Sequence, residues 1–117
     1  MTGRDALDAA REEIDRWDAQ PGGAALAQYL RGLEVRGVKQ SGGRCPLAQR
    51  LNHVLAQAGP EGRERYAYLM GGRVEVCPTG EYLPVLDVEM SVAVRDFVGR
   101  FDLGEYPDLA VDPGSAP

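Results

Sequence analysis

The sequence predicts an α+β fold, about four helices packed with a small three-stranded antiparallel meander, and three observations predict it. Apolar residues recur at helical spacing in four stretches. Two glycine-bearing turns, Gly71-Gly72 and Pro78-Thr79-Gly80-Glu81, separate short runs rich in Tyr and Val. Pro-Gly and Gly-Pro pairs punctuate the helical stretches where a chain has to turn.

In the first helix Leu7, Ala10, Ile14 and Trp17 form one apolar stripe. Thr2 with Asp5 resembles a capping box, and Asp5 and Asp8 suit the positive end of the helix dipole. Pro21-Gly22-Gly23 ends this helix. The second runs from about Ala24 to Leu33, with Leu26, Tyr29, Leu30 and Leu33 inward, and frays through Gly37 into a polar loop ending at Arg44. The third opens at Cys45-Pro46, with proline in its favoured first-turn position, and carries the stripe Leu47, Leu51, Val54, Ala58 before Gly59-Pro60 stops it.

Residues 60–70 fit either a helix or a helix turning into a strand, and the hairpin test favours a strand for their second half. A two-residue turn at Gly71-Gly72 sets Leu69 opposite Val74 and Ala67 opposite Val76, all on one face. The second turn then sets Val76 opposite Leu83 and Val74 opposite Val85, on that same face. Pro84 cannot donate a ladder bond, so the third strand is expected at an edge. Ser91 is the expected N-cap of the last helix, whose stripe is Val94, Phe97, Val98 and Phe101, with Asp96 and Arg100 paired outside. Tyr106 or Leu109 anchors the turn beyond that helix. Residues 1–109 read as one globular domain and residues 110–117 as a flexible C-terminal tail.

The chain has 117 residues, one domain's worth, with 44% hydrophobic and 26% charged residues, ordinary proportions for a globular protein. Its net charge is -5 and its pI about 4.8, which disfavours indiscriminate binding to nucleic acid or anionic lipid. The charge is uneven: residues 1–58 carry a net +1 and residues 59–117 a net -6. Arg31, Arg36, Lys39, Arg44 and Arg50, opposed locally by Glu34 alone, make the one basic island. No apolar run reaches signal-peptide or membrane-spanning length, so a cytoplasmic location with no membrane partner is expected, with Cys45 and Cys77 as reduced thiols.

Cys45-Pro46-Leu47-Ala48 after a Gly-rich loop, a short hairpin, and then Val94-Arg95-Asp96-Phe97-Val98 with Phe101-Asp102-Leu103-Gly104-Glu105-Tyr106-Pro107-Asp108-Leu109 resemble a group of short uncharacterised actinobacterial and actinophage proteins. The resemblance covers residues 31–109. A single lysine among thirteen basic residues, with one Ile and one Asn, agrees with the GC-rich coding such a source implies. It supports the helix–hairpin–helix order and transfers no catalytic residue.

Four candidate sites emerge. The hairpin register puts Tyr66, Cys77 and Tyr82 in one cross-strand row, with Tyr68 and Met70 beside them. This face is either an open interaction surface, Tyr66, Tyr68, Met70 and Tyr82, or core covered by the first helix through Trp17 and Ile14. The second site is the loop and the cations around it: Arg36, Lys39, Gly42, Gly43, Arg44 and Arg50 could hold a phosphate or nucleic acid at a helix N-terminus, although no Walker pattern is present. The third is Cys45, a thiol where a helix N-terminus lowers the pKa. His53, eight residues on, is about 12 Å up the same helix and cannot reach it. The fourth, carboxylate chemistry, fails because Glu12, Glu13, Asp15 and Asp18 are expected on the outer, solvated face of the first helix. Two cysteines and one histidine, widely scattered, make no metal site, and no cofactor is implied.

The expected function is therefore a small non-enzymatic protein-interaction module that docks a protein partner or itself. A phosphate- or nucleic-acid-binding accessory role for the 36–50 loop is the second expectation, and thiol-dependent activity at Cys45 the third.

Overall fold

The computed structural model describes residues 6–111, and its elements run α1 (Ala6–Asp18), α2 (Gly23–Gly32), α3 (Pro46–Gln57), α4 (Pro60–Arg63), β1 (Arg65–Met70), β2 (Arg73–Pro78), β3 (Leu86–Glu89) and α5 (Val92–Asp102), with a 3-10 turn at Pro107–Leu109. The three strands form one antiparallel sheet in the order β1-β2-β3, and the fold is α+β. The expected Thr2–Asp5 capping box lies outside the described residues.

The helices form where their apolar stripes can be covered. α1 packs on α3 and α5, α2 on α5, and α3 on β1. Trp17, Leu26, Leu30, Leu47, Leu51, Phe97 and Phe101 fill a single core between helices and sheet. Phe97 stacks on Phe101 and on Tyr106 at 5.7 and 5.4 Å, which ties the segment after α5 to the core. Tyr106 and Leu109 are both buried. Ser91 caps α5 as expected, its hydroxyl accepting from the Val94 amide at 3.3 Å, and Asp96 pairs with Arg100 at 2.8 Å. Asp96 also accepts the Gly23 amide at 2.9 Å, so one carboxylate in the middle of α5 holds the first residue of α2.

α2 does not fray. Glu34 adopts φ 58°. Its amide reaches the Arg31 carbonyl and the Val35 amide the Leu30 carbonyl, which closes a Schellman motif with a glutamate where glycine is the usual residue. Ala110 and Val111, the first residues of the expected tail, are tied down: Ala110 bridges Gly37 and the Val111 amide donates to the Gly37 carbonyl at 2.9 Å, while residues 112–117 lie outside the described residues.

The hairpin register is as the turn dictates: Leu69 faces Val74, Ala67 faces Val76 and Tyr66 faces Cys77. Gly71 and Gly72 adopt φ 61° and 79°, the left-handed pair a two-residue turn requires. Residues 60–70 split into one helical turn and then a strand.

The third strand departs from expectation. Val76 pairs with Leu86 and Val74 with Val88, three residues beyond the expected partners. Leu83 is 80% exposed instead of buried, and Val85 is also exposed. Two features cause the shift. Pro84 cannot join the ladder, which pushes the strand start beyond it. The Val85 amide then reaches the Val76 carbonyl already opposite Leu86, so two residues face one in a β-bulge that resets which side chains point inward.

Both outer strands are sheet edges, but they differ. On β1 the Asn52 side chain, on α3, accepts from the Ala67 amide at 2.8 Å and donates to its carbonyl at 3.2 Å. The Leu69 amide donates to the Gly42 carbonyl at 2.8 Å. β3 ends the sheet on the other side and presents Asp87 and Glu89.

Candidate functional site

The inner face of the sheet is committed to the core through Ala67, Leu69, Val74, Val76 and Leu86. The opposite face carries Tyr66, Tyr68 and Met70 on β1, Cys77, Glu75 and Arg73 on β2, and Asp87 and Glu89 on β3. α1 does not cover it: Ile14 and Trp17 are buried in the helical core, where α1 meets α3 and α5. Tyr66 and Tyr68 are half-buried and stack at 5.8 Å, while Met70 is 67% exposed.

Tyr82 does not join a cross-strand row, because it lies in the 79–85 loop and not in β3. The loop nevertheless returns over the same face. The Tyr66 hydroxyl donates to the Glu81 carbonyl at 3.2 Å, and the Cys77 thiol sits 4.0 Å from the Tyr82 carbonyl. This leaves the Tyr82 ring 91% exposed with Leu83 beside it in sequence. The four expected interaction residues thus lie on one side of the sheet, Tyr82 by way of the loop. Tyr68 donates to the Glu75 carboxylate, and that bond, with help from Cys77, holds the Tyr68 phenol well above its ordinary pKa. Loss of water raises Tyr66 likewise. Both rings are therefore neutral hydrogen-bonding groups at physiological pH.

The Gly-rich loop is built for packing. A Cβ on Gly42 would collide with the Leu69 carbonyl, whereas Gly43 has open space around it. The Gln40 amide donates to Asp102 at 2.8 Å, holding the non-glycine residue at φ 59°. Arg36, Lys39 and Arg44 are exposed, but Arg50 is not with them. It points from α3 toward Glu13 on α1, with its Nε 3.1 Å from the carboxylate. The start of α3 is closed as well, since Cys45, Pro46, Leu47 and Ala48 are all buried. Burial pushes the Cys45 thiol up to about 11, outweighing the Leu47 and Ala48 amides that favour the thiolate. That is opposite to the shift an activated cysteine requires. His53 is exposed on α3.

Glu13 is the residue that sequence reasoning misplaced. It is fully buried, not solvated on the outer face of α1. Its carboxylate accepts from Trp17 Nε1 at 3.0 Å, the Tyr29 hydroxyl at 2.7 Å, Arg50 at 3.2 Å and Arg16 at 3.1 Å. Burial pushes its pKa up, but the bonds from Arg50, Tyr29 and Trp17 and the charge on Arg50 together bring it below the ordinary carboxylate value. A depression of about 580 Å³ beside it is lined by Arg16, Arg50 and His53. The signal was present in the sequence: Glu13 lies three residues after Ala10 and four before Trp17, on the buried stripe. Its two oxygens thus accept from side chains of α1, α2 and α3, so the cluster works as a knot joining three helices.

A cleft of about 440 Å³ opens where the β1–β2 turn meets the 40–42 loop and α5, with Met70 on one wall and Cys45, Leu69 and Met90 buried along it. Among the described residues no group of three or more His, Cys, Asp or Glu side chains is placed to hold a metal ion. No described helix is long and apolar enough to cross a membrane.

No protein-family model matches the chain, and no solved structure matches it. Among curated proteins it is similar to the glutathione synthetases of Xanthomonas campestris pv. campestris, 33% identical over 104 residues, and Xanthomonas axonopodis pv. citri, 34% identical over 104 residues. Each alignment takes in 85% of this chain and 32% of the relative, so the chain spans about a third of the length of the curated relatives it matches.

Proposed function

We propose that the protein is a small cytoplasmic interaction module, without catalytic chemistry of its own, that docks a protein partner through the outer face of its sheet. The observation that carries this reading is the open aromatic face: Tyr66, Tyr68 and Met70 beside a loop that holds Tyr82 91% exposed. Aromatic and methionine side chains are the types enriched at the centres of protein interfaces. The rigid sheet beneath them lowers the ordering cost of binding. The likeness to glutathione synthetase concerns a third of those enzymes and lends no residue a role in this reading. An actinobacterial or actinophage source fits the composition.

The test is affinity capture from the native host with the tagged protein and its Tyr82→Ser/Met70→Ser variant, each split into nuclease-treated and untreated halves. The reading expects a stoichiometric protein that survives nuclease and is lost with the variant. Partners that vanish with nuclease and are insensitive to the variant would overturn it, and would move the role to Arg36, Lys39 and Arg44.

A further inference from the structure

We infer that the segment seated on this face is a basic peptide stretch with a large apolar anchor, the cations lying along the sheet and the anchor entering the cleft beyond Met70. The inference rests on the interaction reading and adds the chemistry of the partner.

Two observations carry it. The first is continuity. Met70 ends the Tyr66–Tyr68–Met70 row and is also a wall of the 440 Å³ cleft, so the aromatic face and the concave site meet at that residue. Leu69, Met90 and the neutral Cys45 give that cleft an apolar side, alongside Gln40, Arg95 and Asp102, and two flexible methionines, Met70 and Met90, adapt to unbranched or aromatic side chains alike.

The second is charge. The face and its loop present Glu75, Glu81, Asp87 and Glu89, whereas Arg73 is the strand cation among them. Arg73 is held by Asp87 at 2.5 Å, and Arg95, on the cleft wall, is held by Glu89 and the Met90 carbonyl, both at 3.2 Å. These pairs occupy Arg73 and Arg95 together with Asp87 and Glu89, and Glu75 accepts from Tyr68, so the surplus charge of the face is negative and the Glu81 carboxylate has no ion-pair partner among the described residues. This agrees with the net -6 of residues 59–117. An acidic rim around an apolar centre speeds and selects the approach of cationic segments and repels acidic ones.

The experiment is selection of a random dodecapeptide phage library on the intact protein, with Met70→Glu as the counter-target, followed by anisotropy titration of the enriched peptides at low and high salt. Enriched sequences are expected to carry net positive charge around one large apolar residue. They should bind the Glu81→Lys variant about tenfold more weakly, with the difference shrinking as salt rises. Both substituted residues are exposed, and circular dichroism checks that the variants fold. Enrichment of neutral or acidic peptides, enrichment indifferent to Met70→Glu, or no enrichment would each overturn the inference. Concentration-dependent dimerisation abolished by Met70→Glu would assign the face to a second copy instead. In that case, or if capture from the host depends on Tyr82 while no basic consensus appears, the interaction reading stands and the partner chemistry falls. Loss of both ends both.

Discussion

Replacing Glu13 by glutamine tests whether the buried carboxylate holds α1, α2 and α3 together. Glutamine keeps the volume and one acceptor, so what is removed is the charge opposite Arg50 and the ability to accept from Trp17, Tyr29, Arg50 and Arg16 at once. Removing one partner of a buried pair costs about 3–5 kcal/mol. The Arg50 side chain retains 20% exposure and can recover some hydration, which places the change near the low end, about 3 kcal/mol. For a chain of this size that corresponds to a fall in Tm of about 10–15 °C. Trp17, the single tryptophan, is fully buried and donates to this carboxylate, so urea unfolding followed by its fluorescence reads the site directly.

The pH dependence has a definite sign. The folded-state pKa of Glu13 lies below its unfolded value, so its contribution is present above the unfolded value, about 4.3, and is lost as pH falls through the folded one. The gap in stability between wild type and Glu13→Gln is therefore full at pH 7 and narrows below about pH 4. A Glu13→Leu/Arg50→Met double variant is expected to lose less than the two single changes together, because the stranded cation disappears with its partner. A Glu13→Gln variant within about 1 kcal/mol of wild type at pH 7, or a pH-independent gap, would refute the reasoning.

Three further outcomes are expected. Glu34→Gly relieves a left-handed glutamate in an exposed helix end and should stabilise the protein by about 0.5–1 kcal/mol in urea titrations, the relief of strain exceeding the added freedom of the unfolded chain. Gly42→Ala should cost about 1–3 kcal/mol because its Cβ meets the Leu69 carbonyl, whereas Gly43→Ala should stay within about 0.5 kcal/mol. Equal effects would contradict the packing role of the loop. At pH 8 the native protein should label at Cys45 with dithionitrobenzoate only as fast as it opens, since the thiol is buried and pushed up to about 11; rapid labelling would restore the thiol reading.

What could be read in the sequence depended on how local the determining forces were. The β1–β2 register was legible because Gly71-Gly72 forces one turn, and a two-residue turn leaves one pairing. The β2–β3 register was not, because a seven-residue connection containing Pro84 admits several pairings and the bulge at Val85 hides which parity wins. Ser91 and the Asp96–Arg100 pair act within one helical turn and were visible. Glu13 falls on the buried stripe of α1, between Ala10 and Trp17, but a carboxylate there reads as solvated until the groups that satisfy it, Tyr29 and Arg50 from two other helices, are known, and periodicity in α1 does not name them. Of the candidate sites, the row of Tyr66, Tyr68 and Met70 came from strand alternation alone. The exposure of Tyr82 and the cleft beyond Met70 required the loop path and the docking of α5.

Asn52 acts as a one-residue imitation strand, giving Ala67 the same donor and acceptor that a neighbouring backbone would offer. Together with Gly42 it makes the β1 side a dead end for strand addition, leaving growth a single direction past β3. Polymerisation by edge pairing needs two complementary live ends on each molecule. With one end sealed by Asn52 and Gly42, such addition terminates at a symmetric pair and does not extend into a fibre.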